Sequence, residues 1–431
     1  VCKLLNFVSE LQNGIHVHVL PTSKFKLNTI VVTFHTDLEA AKVTSQAMLP
    51  HVLLRGSQQH PTAESIQLAL SDLYGATLAG TVSKKGERQI VEFLFKIANE
   101  TYLKQAEPLL ENGFSLLAEV LFQPVQEAGG FKPDFVEKEK EQHAKRIDSL
   151  LDDKIVYAAE RCLEEMTKGE RFSIPKLGRK SDLAGIDGKN LFSVYQELVQ
   201  TAPMHVYVVG NVQPEQVIAL VQKYFPQTRT PRTELLPTQT DVRPQQVKEI
   251  VERLDVNQGK LNIGLRTKVT HADDTYPALL MYNGVLGGFP HSKLFVNVRE
   301  KASLAYYASS RLESYKGILY IQSGIQIENY EKALEIIKKQ LEEMKNGNIT
   351  DTELEFTKNG LINSFRTILD SPENLVDIHT GGLVSGRQRT VEELIRLVQQ
   401  VTKQEVVQIA NQVQLDTVYF LRDKKEVAAH A

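Results

Sequence analysis

The sequence predicts an α+β protein of two similar domains, each a β-sheet covered by helices. Three observations lead there. The same order of strand-like and helix-like segments occurs twice along the chain. Each half closes with a β-branched and aromatic run, His205-Val206-Tyr207-Val208-Val209 and Thr417-Val418-Tyr419-Phe420-Leu421. Between the halves, the stretch from Phe225 to Pro244 carries Pro226, Pro231, Pro237 and Pro244, and so many prolines hold a chain extended. The expected division is a domain over 1–225, a linker over 226–244 and a domain over 245–431.

In the first half, Ile15–Leu20 alternates after Asn13-Gly14, and Thr29–Phe34 is rich in β-branched residues. The two predict a hairpin. A helix is expected near 40–55. A second follows over 61–73, where Ile66, Ala69, Leu70 and Leu73 recur at three- to four-residue spacing. Strands are expected at Thr81–Val82 and Ile90–Phe95, then helix over about 101–121. Asp134 with Glu137 three residues on is a capping pattern that opens a long helix. His143, Ile147, Leu150, Leu151, Ala158 and Cys162 are expected along one side of it.

The second half repeats the order. Leu261–Leu265 predicts a strand, 275–286 a helix ending at Gly287-Gly288, and 305–311 and 318–324 two further strands. Leu334, Ile337, Leu341 and Met344 share one face of a helix over 329–344 that stops at Gly347. Thr350 and Glu353 form the capping box of the next long helix.

Composition excludes several functions. The 431 residues are 42% hydrophobic and 24% charged, with a formal net charge of −3, so nothing favours nucleic acid or an anionic membrane as a bulk partner. Cys2 and Cys162 make neither a disulfide framework nor a metal-ligand spacing. The N-terminus VCKLLNFVSELQNG lacks the basic start and apolar run of a signal peptide, and no apolar run reaches the ~18 residues of a membrane helix. A cytoplasmic protein is expected. His16 and His18 lie two apart and share a strand face, as a metal pair or as a satisfied polar face. Glu139 and His143 share a helix face at i, i+4.

Two stretches resemble the insulinase/pitrilysin family of zinc peptidases. The first is Met48-Leu49-Pro50-His51-Val52-Leu53-Leu54-Arg55-Gly56-Ser57, where the family reads H-x-x-E-H, an apolar run, a basic residue, Gly and Thr or Ser. The second is Leu286-Gly287-Gly288 through Phe295, Arg299-Glu300-Lys301 and Leu304-Ala305-Tyr306, like the family's second-half signature. The resemblance spans roughly 10–425. It implies domains with mixed sheets, as in processing-peptidase-like metallohydrolases. In H-x-x-E-H the two histidines share a helix face and ligate zinc, the Glu takes a proton from the metal-bound water, and a distal Glu is the third ligand.

Aligned on that motif, the first His position holds Ala47 and the general-base position holds Pro50. Only the second His position survives, as His51; matching Glu137-Lys138-Glu139-Lys140-Glu141 to the family's acidic-basic run places the distal Glu near Arg146, with Glu139 or Glu141 as the alternative. Pro50 also disfavours a helix interior by ~3 kcal/mol outside the first turn. A catalytic zinc needs about three protein ligands. No catalytic residue and no metal site is therefore expected intact, and the chain is expected to hold no cofactor. The resemblance assigns Arg299 and Tyr306 to substrate binding. It implies a non-catalytic subunit like the inactive partners encoded beside active ones in bacteria. Zinc would then sit only in a sister chain bearing H-x-x-E-H, and the substrate would be a peptide or small unfolded polypeptide. A homodimer is the other pairing. Two rival readings are a non-enzymatic scaffold of the same fold and an active peptidase with relocated ligands. The strand over Leu78–Val82 is the expected edge for adding a peptide strand.

Overall fold

The computed structural model describes residues 6–103, 108–230 and 234–424; Cys2 and Pro231 lie outside them. The chain divides into two compact units, Val1–Asp148 with Ile174–Pro237, and Ser149–Ser173 with Thr238–Ala431.

The first unit contains strands β1 (Val8–Gln12), β2 (Ile15–Pro21), β3 (Leu27–Asp37), β4 (Thr77–Lys85), β5 (Arg88–Ala98), the two-residue β6 (Gln126–Glu127) and β7 (Gly130–Phe131), and β8 (Met204–Gly210). Its main sheet runs β1-β2-β8-β3-β5-β4. The second unit contains β9 (Lys248–Arg253), β10 (Gly259–Arg266), β11 (Ala305–Glu313), β12 (Ile318–Ile325) and β13 (Gln414–Arg422), ordered β9-β13-β10-β12-β11. Without β1 the two topologies are the same. The closing strand inserts parallel to the first, β2 with β8 and β9 with β13, and every other neighbour is antiparallel. Both are mixed sheets.

The predicted β2–β3 hairpin does not form, because β8 lies between those strands. Asn13-Gly14 turns instead between β1 and β2, with both residues in the left-handed region at φ 49° and 75°. That conformation matches strand twist and suits Asn-Gly. The predicted long helix also breaks. Pro133–Asp152 ends, and Asp153 accepts from the amides of Ile155 and Val156 at 3.0 and 3.2 Å to cap a separate helix, Lys154–Met166. An aspartate in extended conformation satisfies the orphan donors of a new helix.

The domain division differs from the expected one for this reason. Helix Lys154–Met166 packs on the second sheet. Alternation along β13 sends Val418 and Phe420 into the helix-covered core, while Tyr419 and Leu421 meet Ala158 and Cys162 on the other face. Gly264 makes room for Met166, since a Cβ there would lie 2.5 Å from its sulfur. The segment is fastened by buried charges. Glu170 pairs with Arg266 at 2.6 Å and Lys316 at 2.6 Å, and Arg266 pairs with Asp416 at 2.9 Å.

Removing one member of a buried pair leaves its partner's charge uncompensated, at a cost of about 3–5 kcal/mol. Glu170→Ala is expected to lower unfolding stability by about that amount, read from the urea midpoint. A loss below about 1 kcal/mol would show that the network fastens nothing.

Candidate functional site

The motif stretch folds as helix Val43–Leu53, with every residue but His51 buried. Ala47 is 1% exposed, set among apolar neighbours in the first unit's core. Pro50 lies in the helix's third turn, not its first, so the turn lacks one amide donor at that point. Its ring lies against edge strand β4. A Cβ at Gly80 would come 2.6 Å from the Cβ of Pro50, so only glycine fits there. Apolar ring therefore occupies the place where the resemblance puts a catalytic carboxylate.

His51 is half-buried beside an ionic cluster. Glu139, 4% exposed, accepts at one oxygen from Arg55 Nε at 2.8 Å and at the other from Arg146 Nη2 at 3.1 Å. The structure thus brings together His51, Arg55, Glu139, His143 and Arg146. Burial first, and then the charge of Arg146, push the His51 imidazole down to about 4, against the opposing pull of Glu139. His143 donates from Nε2 to the Leu177 carbonyl at 2.8 Å. Its pKa is lowered, by burial first and also by Arg146, so both rings are neutral at pH 7. The i, i+4 pair of Glu139 and His143 is not made; Glu139 is committed to the two arginines. That commitment was not read from sequence, although Arg55 belongs to the motif.

Arg299 and Tyr306 belong to the second unit. Gly287-Gly288 ends a π-helical turn, Gly284–Gly288, and Gly287 approaches β11 so closely that a Cβ would lie 2.6 Å from the Ser310 amide nitrogen. A second π-helical turn, Phe295–Lys301, carries Arg299. π-Helical turns occur often at functional sites. A backbone bond from Leu304 N to Val298 O at 3.2 Å ties this turn to β11, the edge strand that presents Tyr306. Both side chains are exposed, Tyr306 at 56%. Neither is hydrogen-bonded to the other, Arg299 has no acidic partner among the described residues, and its guanidinium rests 4.6 Å from the ring centre of Phe295.

His16 and His18 lie on β2 within a larger group. His18 Nε2 is 3.0 Å from Nδ1 of His205 on β8, and His18 Nδ1 is 2.7 Å from the Ser9 hydroxyl. His16 and His35 lie 4.7 and 4.6 Å from His205, centre to centre. His35 and His205 were missed because they join this face only through pairing of distant strands.

Residues 185–361 match the family described as Peptidase M16 inactive domain. The chain is 38% identical over 421 residues to the "Probable inactive metalloprotease YmfF" of Bacillus subtilis, covering 97% of this chain and 99% of that one. The chain belongs to the M16 peptidase family. It is also 25% identical to the "Uncharacterized zinc protease YmxG" of Bacillus subtilis, over 77% of this chain and 82% of that protein. A conserved protein from Enterococcus faecalis V583 has the same fold at a TM-score of 0.91 and 31% identity, with 98% and 99% of the two chains covered.

M16 zinc is bound by two histidines and a carboxylate, as the resemblance implies, and the residues present do not fit it. His51 is one ligand, Glu139 has both oxygens on guanidinium groups, and Arg146 places a cation where a third ligand is expected. Among the described residues no group of three His, Cys, Asp or Glu side chains is placed to hold a metal ion.

Burial of neutral histidines couples stability to pH. The fully buried His35 is pushed down to about 3 by burial, and then by the charge of Arg88, while His51 is pushed to about 4. The unfolded chain binds these protons near 6.5, so this stability is full above that pH and is lost as pH falls from there toward 3–4. Thermal melting points are expected to fall steadily as pH drops from about 7 to 5, and His35→Asn to flatten that decline. Parallel curves for the two proteins would contradict it.

Proposed function

We propose that the chain is the non-catalytic, cytoplasmic subunit of a bacterial M16 peptidase. It pairs with an active sister bearing H-x-x-E-H and supplies Arg299 and Tyr306 as a half-site for the substrate, a peptide or small unfolded polypeptide. One observation carries this reading: the two signature side chains are exposed and, among the described residues, have no hydrogen-bond or ion-pair partner, while the zinc half-site is filled by Pro50 and the Arg55–Glu139–Arg146 cluster. An arginine with no carboxylate partner keeps all its donors for a peptide carbonyl, and an exposed tyrosine hydroxyl can donate to a developing oxyanion. The name of the Bacillus relative, a probable inactive metalloprotease, agrees with it. Strand β4 stands at the end of its sheet, where a peptide can add as a further strand. Among the described residues no helix is long and apolar enough to cross a membrane.

The test is turnover of a quenched fluorescent peptide by the reconstituted pair. Losing one oxyanion donor costs about 10²–10³ in rate. Tyr306→Phe and Arg299→Ala are each expected to lower kcat/KM at least about tenfold, with assembly unchanged by gel filtration. Unchanged turnover would leave a scaffold that only binds its partner.

A further inference from the structure

Arg299 is a long, exposed side chain with no ion pair among the described residues, yet its guanidinium lies over the Phe295 ring, with Cζ 4.6 Å from the ring centre. The two residues are four apart in one π-helical turn. That turn is anchored on either side of Phe295, since Leu294 and Val298 are both 0% exposed in the second unit's core. The outward pair is therefore presented on a fixed backbone.

We propose that Phe295 is the positioning residue of Arg299. The inference rests on the half-site reading above and adds how the half-site is pre-organised. A guanidinium can be held by a carboxylate or by an aromatic face. A carboxylate takes two of its N–H donors in a forked pair and neutralises its charge. A ring face attracts the cation through its quadrupole and leaves the N–H groups at the guanidinium edge unbonded. Phe295 thus limits the rotamers of Arg299 while leaving its hydrogen-bonding capacity for the substrate. Neighbouring Glu300 is exposed and makes no ion pair with Arg299, so the ring is the contact that holds the group.

The test uses the full chain and fluorescein-labelled, reduced and carboxymethylated lactalbumin, a permanently unfolded polypeptide, in a fluorescence anisotropy titration. An exposed cation–π contact corresponds to about a two- to fivefold change in Kd. Phe295→Leu is expected to weaken binding by that factor, Phe295→Tyr to restore it, and Phe295→Leu to add nothing on an Arg299→Ala background. In parallel, the Arg299 Nε–Hε NMR resonance is expected to lose its ring-current shift in Phe295→Leu and keep it in Phe295→Tyr. Arg299→Ala weakening binding while Phe295→Leu does not, or Phe295→Leu acting equally on both backgrounds, would overturn the positioning role alone. No effect of Arg299→Ala would overturn the half-site reading, and this inference with it.

Discussion

Glu139 sits buried between Arg55 and Arg146, and the character of the first unit's motif region follows from that carboxylate. Arg55 comes just after the motif helix, and Arg146 lies two turns along the helix that carries Glu139. The triad joins the two elements that should together present metal ligands. A charge-assisted bond at each oxygen compensates burial of the anion, which uncompensated would cost several kcal/mol. The same bonds hold both oxygens of Glu139 on guanidinium groups and place positive charge beside His51. Pro50 on Gly80 completes the change by closing the motif helix onto β4. In this region the cations beside Glu139 are guanidinium groups carried by the chain itself.

The second unit repeats the sheet and keeps other equipment. Two π-helical turns, one pressed on β11 through Gly287 and one carrying Arg299, are unusual backbone that regular packing does not require. In the first unit the motif helix touches the corresponding edge strand through Pro50 and Gly80 instead. Topologically equivalent places thus carry an apolar plug in one unit and presented polar side chains in the other.

Local signals in the sequence were legible wherever a local interaction decides the structure. Thr350 and Glu353 form the capping box they predict, and β13 and β8 stand at matching positions in matching sheets. Asn13-Gly14 is a hairpin turn, but its partner strand β1 is largely exposed and has no apolar periodicity to reveal it. The β2–β3 hairpin failed because the strand between them arrives some 190 residues later in the chain, as the register of His16 with His205 shows. The break at Asp153 was hidden by apolar spacing that continues across it into Cys162. Of the site, Ala47 in place of the first histidine and Pro50 in place of the general base could be read directly. The pairing of Arg146 with Glu139 and the proline–glycine contact are tertiary, and no spacing encodes them.

The proposed loss of zinc binding rests on the Arg55–Glu139–Arg146 cluster, and zinc stoichiometry tests it most directly. The purified chain would be equilibrated with excess zinc, freed of unbound metal by desalting, and measured for zinc per chain by mass spectrometry. No stoichiometric zinc is expected. One tightly bound zinc per chain would contradict it, because His51, Glu139 and His143 would then have rearranged into a ligand set at the expense of both arginine contacts.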